Sequence, residues 1–360
     1  MNLRVAALGL AFLGSFPAFA VTIHNDLSNA AYYNVLDSQF NGIGRLFVDG
    51  GGICSAFAIN STQVLTAAHC LPGGNPNLSG SVLDGVQFSL FSSAIYAPTS
   101  VFINPNWNYG LFDEGYDIAV LYFENGLPSV NSYPLYNYPS GQDEYGQVFE
   151  LFGFGSCGTP QTGYAPCTTP GLHRGANRYD RIYSNGNILE FSFDSYNPTT
   201  TTVGAADCPI NDALCYITEV ETLSKSLVPE IGTRQGFLAP GDSGGPSLIF
   251  ADGQYWSVGL HSYISCISLS SGCDSPPDFD GSLNPNSTWG EIAGDTRLNS
   301  HVDFINASVP EPSTLLLTGV SLLLLFRRTR MLNSSKPLPH RNLHGESPQA
   351  HLKAQIPTRP

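Results

Sequence analysis

Charged side chains are scarce in this chain: Asp, Glu, Lys and Arg together make up 12% of its 360 residues. That scarcity excludes a coiled coil and an ordinary helical bundle, whose solvent faces are built from charge. Basic residues are scarcer still in the body, where residues 21–312 hold seven Lys/Arg against 28 Asp/Glu, a balance of −21. A surface of that sign repels a phosphate backbone, so no nucleic-acid partner is expected. Helix signals are nearly missing, limited to a turn at 67–71 and a stretch from Leu298 to Ile305 in which Val302 and Ile305 face inward. No internal repeat of fixed period is present. No two cysteines stand at the short spacing of a structural zinc site. Asp274, Asp278 and Asp280 lack the ligand pattern of a calcium loop, so neither a metal nor a cofactor is expected.

Turn-forming residues are abundant instead, with 37 Gly and 26 Pro. Between them lie short apolar runs: Gly44–Val48, Ala56–Leu65, Ile118–Phe123, Val148–Phe154, Ile188–Phe193, Ser247–Phe250 and Trp256–His261. Short apolar segments punctuated by Gly, Pro, Asn, Asp and Ser predict an all-β sandwich or barrel. The length leaves room for one large or two ordinary domains with a sizeable core.

The two ends read as addresses. Arg4, the apolar run Val5–Leu13 and the small-residue site Ala18-Phe19-Ala20 make residues 1–20 a secretory signal peptide, cleaved after Ala20. At the other end, Pro310-Glu311-Pro312 precedes an apolar run, Thr314–Phe326, and then Arg327-Arg328-Thr329-Arg330. The run is short of the roughly 20 residues of a stable span, and the arginines hold it on the cytoplasmic side during export. This order, over 309–330, resembles the PEP-CTERM sorting anchors of bacteria. The resemblance implies attachment to the membrane through the C-terminal segment, an exosortase-type processing enzyme as partner, and a destination at the cell surface or in the extracellular matrix. Residues 331–360 are expected to be a disordered basic tail. The body, 21–308, is left as the functional domain.

Eight cysteines suit an oxidising compartment. They allow many connectivities, but four close couples point to Cys54–Cys70, Cys157–Cys167, Cys208–Cys215 and Cys266–Cys273.

Three segments carry chemistry. Val64-Leu65-Thr66-Ala67-Ala68-His69-Cys70 ends a strand-like run in an imidazole, Asp117-Ile118-Ala119-Val120-Leu121 opens an apolar strand with a carboxylate, and Pro240-Gly241-Asp242-Ser243-Gly244-Gly245-Pro246 sets a serine in a Gly-rich turn. Taken singly, each is an ordinary structural feature. Taken together they supply a nucleophile, a base and a group to orient the base. The glycines permit a tight turn that aims the N–H groups of Gly241 and Ser243 at a developing oxyanion.

In motif and in chain order the three segments resemble the trypsin/chymotrypsin-like serine peptidases. The resemblance implies two six-stranded antiparallel β-barrels with a short C-terminal helix and a cleft between them. It casts His69 as general base, Asp117 as its orienting partner and Ser243 as nucleophile, with a peptide or protein as substrate and the enzyme acting as a monomer. It also places the Cys54–Cys70 bridge beneath the histidine and makes Gly259-Leu260-His261-Ser262-Tyr263 the substrate-binding strand, with Ser262, Tyr263 and Phe237 in the substrate pocket. Phe237 stands where an Arg/Lys-directed member carries Asp, so nothing anionic is placed to pair with a cationic substrate. Ala239 replaces the cysteine usual there. No Arg-Ile-Val-Gly-Gly activation site is present, but signal-peptide removal exposes Val21, whose ammonium is expected to pair with Asp242. Asp117 and Ser243 are 126 residues apart, longer than usual in the family. The competing reading is a catalytically silent binding or adhesion module on the same fold.

Overall fold

The computed structural model describes residues 22–23, 35, 38–49, 52–72, 84–90, 94–138, 143–160, 162–166, 171–193, 234–266, 284–288 and 290–309. The strands in chain order begin with β1 (Thr22–Ile23), β2 (Ile43–Val48), β3 (Gly52–Ala58), β4 (Gln63–Thr66), β5 (Val86–Leu90), β6 (Ile95–Tyr96), β7 (Ser100–Ile103) and β8 (Ala119–Tyr122). They continue with β9 (Val148–Gly153), β10 (Cys157–Thr159), β11 (Gly163–Ala165), β12 (His173–Arg178), β13 (Arg181–Tyr183) and β14 (Ile188–Ser192). The last are β15 (Gly236–Phe237), β16 (Pro246–Ala251), β17 (Gln254–Cys266) and β18 (Glu291–Arg297).

Two curled seven-stranded antiparallel sheets hold most of these strands, in the orders β6-β5-β2-β3-β4-β8-β7 and β12-β9-β16-β17-β18-β14-β13. The architecture is the double barrel expected, with each sheet extended beyond six strands by a short edge strand, β6 or β13. A small third sheet, β11-β10-β1-β15, joins β1 to β15 antiparallel and to β10 in parallel.

The apolar runs become strands for local reasons. In β5 Val86, Phe88 and Leu90 are buried while Gln87 points to solvent, the period-two pattern of a sheet with one wet face. The run Ala56–Leu65 is two strands rather than one, because Asn60 turns the chain between them. Its Oδ1 accepts the backbone N–H of Thr62 at 2.9 Å and of Gln63 at 2.8 Å, the side-chain mimicry of a turn that Asn favours. Aromatic rings fill the second sheet's core: Phe149 stacks on Tyr179 at 4.1 Å and Phe193 on Phe237 at 5.1 Å.

The chain closes with a 3-10 turn (Leu298–His301) running into one short helix, α1 (Val302–Ala307). Ile305 is buried as expected, and Val302 is half-buried. This segment clamps the first sheet: Gln63 Nε2 donates to the Ile305 carbonyl at 2.9 Å, and His301 Nε2 donates to the Gly115 carbonyl at 2.7 Å. Among the described residues no helix is long and apolar enough to cross a membrane. The expected signal peptide, 1–20, the apolar run 314–326 and the expected tail 331–360 lie outside the described residues.

Burial lowers the His301 pKa below 6.5, and its bond to Gly115 only partly offsets this. The unfolded chain therefore takes up the proton first, and stability is lost as pH falls through the 6.5 region. Denaturant midpoints measured between pH 7.5 and 5.5 should fall more steeply for the wild type than for His301→Gln, so the gap between them narrows in acid.

Candidate active site

The first sheet delivers an imidazole. β4 ends at Thr66, and a 3-10 turn, Ala68–Cys70, follows at once. A disulfide between Cys54 on β3 and Cys70 ties that turn to its sheet, with Cα atoms 6.2 Å apart. His69 Nδ1 lies 2.6 Å from Asp117 Oδ2, and the His69 backbone N–H donates to Asp117 Oδ1 at 2.9 Å. Asp117 is fully buried just before β8, and the Ser262 hydroxyl donates to its Oδ2 at 2.6 Å. A carboxylate receiving three donors is held in its acceptor-only form. It fixes the proton of the neutral imidazole on Nδ1 and leaves the Nε2 lone pair for other work. Phe112 meets the ring edge-on at 5.3 Å and limits its rotation.

The second sheet delivers the serine. The Gly241–Gly245 turn crosses to the first sheet and is bonded there: Ser55 N donates to the Ser243 carbonyl at 2.8 Å, and Ser55 Oγ donates to the Gly241 carbonyl at 3.0 Å. That same Oγ accepts the Phe154 N–H at 2.9 Å. Gly244 must be glycine here, since its φ is +80° and a Cβ would come within 2.4 Å of the Ser55 carbonyl and Thr66 Oγ1. Asp242 is fully buried beneath the turn and accepts the N–H groups of Gly155 and Ala239 at 3.0 and 2.9 Å.

Between the two contributions lies a cleft of about 290 Å³, lined by His69, Phe112, Leu238, Ala239, Pro240, Ser243, His261, Ser262, Tyr263 and Ile264. His69, Asp117, Ser243, Ser262 and Tyr263 thus come together from segments far apart in the chain. Tyr263 is held by its hydroxyl, which donates to Glu190 Oε1 at 2.9 Å. Burial raises the Glu190 pKa, while Arg181 and the Tyr263 hydroxyl oppose the rise. Phe237 falls elsewhere: it is fully buried in the core of the second sheet, and Leu238, Ala239 and Pro240 form the wall in its stead.

A β-bulge explains how neighbouring residues serve different ends. The register between β17 and β18 shifts between His261 and Tyr263, leaving Ser262 the extra residue. Such a bulge re-aims side chains. Ser262 reaches Asp117, while His261, paired across the ladder with Asp295, bonds to that carboxylate through Nδ1 at 2.8 Å. Phe112, Ile264 and the His261–Asp295 pair were not legible as site residues. The one signal was the quoted run around His261, which gave no reason to pair it with an aspartate 34 residues on.

Cys54, His69 and Cys70 lie close enough to share a metal ion, but the two sulfurs are joined to each other and offer no thiolate. Cys157 is disulfide-bonded, and the side chains of Cys167, Cys208, Cys215, Cys266 and Cys273 lie outside the described residues. Val21 lies outside them too, as do Asp274, Asp278 and Asp280. Thr22, the next residue, is buried and pairs with Gly158 and Phe237.

Residues 37–187 match the protein-family model described as Trypsin, a stretch that includes His69 and Asp117 and stops before Ser243. The chain is also 27% identical over 222 residues to chymotrypsin-like elastase family member 1 of Bos taurus, covering 59% of this chain and 69% of that protein. With the double-barrel fold, these likenesses support a trypsin/chymotrypsin-like serine peptidase.

Ser55 gives the seating of the turn a direct test. Ser55→Ala strands the Gly241 carbonyl and the Phe154 N–H, which together should cost about 1–3 kcal/mol, the usual penalty of unsatisfied buried groups. Equilibrium denaturation of the variant beside the wild type measures it.

Proposed function

We propose that the protein is an exported serine endopeptidase that cleaves peptide bonds through His69, Asp117 and Ser243 and an acyl-enzyme intermediate. The observation that carries this reading is the 2.6 Å contact of His69 Nδ1 with buried Asp117, in a ring that faces the same cleft as Ser243. In this reading Nε2 takes the Ser243 proton as Oγ attacks the scissile carbonyl. Asp117 steadies the imidazolium, and the same proton then passes to the leaving amine. The N–H groups of Gly241 and Ser243 receive the oxyanion, aimed by a turn in which Gly241 has φ +100° and Asp242 anchors the floor. Water brought to the emptied leaving-group side completes hydrolysis with His69 again as base.

No carboxylate lines the described cleft, which supports a specificity other than Arg/Lys. The enzyme acts as a monomer on a peptide or protein. The signal peptide supports export, and the PEP-CTERM-like segment supports processing by an exosortase-type enzyme and residence at the cell surface or in the matrix. In this reading removal of residues 1–20 gives Val21 an ammonium that pairs with Asp242; the next residue, Thr22, pairs with Gly158 of β10 and Phe237 of β15.

A fluorophosphonate probe should label the wild type on Ser243 and leave Ser243→Ala unlabelled, with peptide hydrolysis lost in parallel. Asp117→Asn should keep the fold and lower kcat by about 10⁴-fold, because the amide no longer holds the required tautomer. Absence of labelling and hydrolysis in the mature wild type would establish a binding module instead.

A further inference from the structure

His261 is fully buried in the wall of the cleft, and its Nε2 has no hydrogen-bond partner among the described residues. A buried polar nitrogen left unmatched costs free energy that a core residue has no reason to retain. Nothing in the serine mechanism uses it, since His69 supplies the base.

Its surroundings specify what it is built to meet. His261 Nδ1 lies 2.8 Å from Asp295 Oδ1, while Tyr179 OH and Ser247 Oγ donate to Asp295 Oδ2 at 2.7 and 2.6 Å. With its proton on Nδ1 the imidazole makes a third donor to Asp295. A substrate carboxylate reaching Nε2 from the cleft that His261 lines would set the ring between two acceptors, where a proton on each nitrogen gives charge-assisted bonds that a neutral side chain does not.

The pair is also correctly placed to read a substrate. His261 is threaded through the serine turn, its carbonyl accepting the Gly244 N–H at 2.7 Å and its N–H donating to the Gly245 carbonyl at 2.9 Å. Gly245 lacks the Cβ that would press on His261 Cδ2, the ring carbon beside Nε2, at 2.9 Å. Leu238, Ala239, Pro240 and Ile264 give apolar walls for methylene groups. The other carboxylates near the cleft are already engaged, Asp117 by His69 and Ser262, and Glu190 by Tyr263 and Arg181.

We propose, resting on the peptidase reading above, that His261 backed by Asp295 is the specificity residue of this cleft and selects an acidic side chain, Glu or Asp, on the residue whose carbonyl Ser243 attacks.

The test uses the mature protein and fluorogenic peptides that differ only at that residue: Glu, Asp, Gln, Ala, Leu and Lys. Glu should exceed Gln and Leu in kcat/KM by at least about 100-fold, as expected where a buried polar group is matched by one side chain and stranded by the others. His261→Gln should lower the Glu-to-Leu ratio by at least about tenfold, and Asp295→Asn should move it the same way. A fall shared equally by all six substrates would mark a structural role and overturn the proposal. Should the variants fail to fold, the wild-type panel decides alone, because equal turnover of Glu and Gln peptides overturns it too. Probe labelling of Ser243 with a preference for Leu or Lys refutes this inference and leaves the peptidase reading standing. No labelling and no turnover refutes both.

Discussion

The turn that carries Ser243 belongs to one sheet and is seated on the other, and the rest of the cleft follows from that seating. Ser55 of β3 bonds to the carbonyls of Gly241 and Ser243 and to the Phe154 N–H, so a single residue of the first sheet holds both the turn and the end of β9. The contact is so close that Gly244 has no room for a Cβ against Ser55 and Thr66. Close packing of this kind leaves no slack for the two sheets to slide. His69 sits at the end of the same short β4 segment, fixed by the disulfide to β3, so imidazole and serine are placed from one shared anchor.

Around this contact Asp117, just before β8 of the first sheet, and Asp242 and Asp295 of the second are fully buried, and each is matched by donors rather than by Lys or Arg among its described partners. Asp117 takes the His69 ring, the His69 N–H and Ser262; Asp242 takes Gly155 and Ala239; Asp295 takes His261, Tyr179 and Ser247. A buried carboxylate bonded this way is expensive to disturb, because removing one donor strands a charge in low dielectric. The three together make the floor of the cleft rigid in just the places where side chains must be aimed. Rigid support of this sort is what permits catalytic groups to hold their geometry without reorganising.

Much of the chemistry was legible before any coordinates, for reasons that differ from residue to residue. His69 and Asp117 could be singled out because one ends a strand-like run and the other opens one, and their pairing is what the resemblance of the three motifs to a known family implies. The turn around Ser243 announced itself through its glycines, which a helix or strand interior would not tolerate. The strands within the named runs were legible too, apart from Ala56–Leu65, where Asn60 broke a stretch whose composition looked continuous, whereas β5, β7 and β12 fall outside those runs. Phe237 shows the limit of position-by-position reading. Its place six residues before the serine pointed to the pocket, yet its ring stacks on Phe193 in the core, a partner 44 positions away that only the folded sheet brings near.

The sequence by itself determined the strand-rich class, the turn that displays the serine and the residue types available for acid–base work, because these rest on local backbone preference and side-chain chemistry. The tertiary structure decided which of those side chains meet. A one-residue bulge in β17 sends Ser262 to Asp117 and His261 to Asp295, and register shifts of that kind depend on cross-strand hydrogen bonding between distant segments.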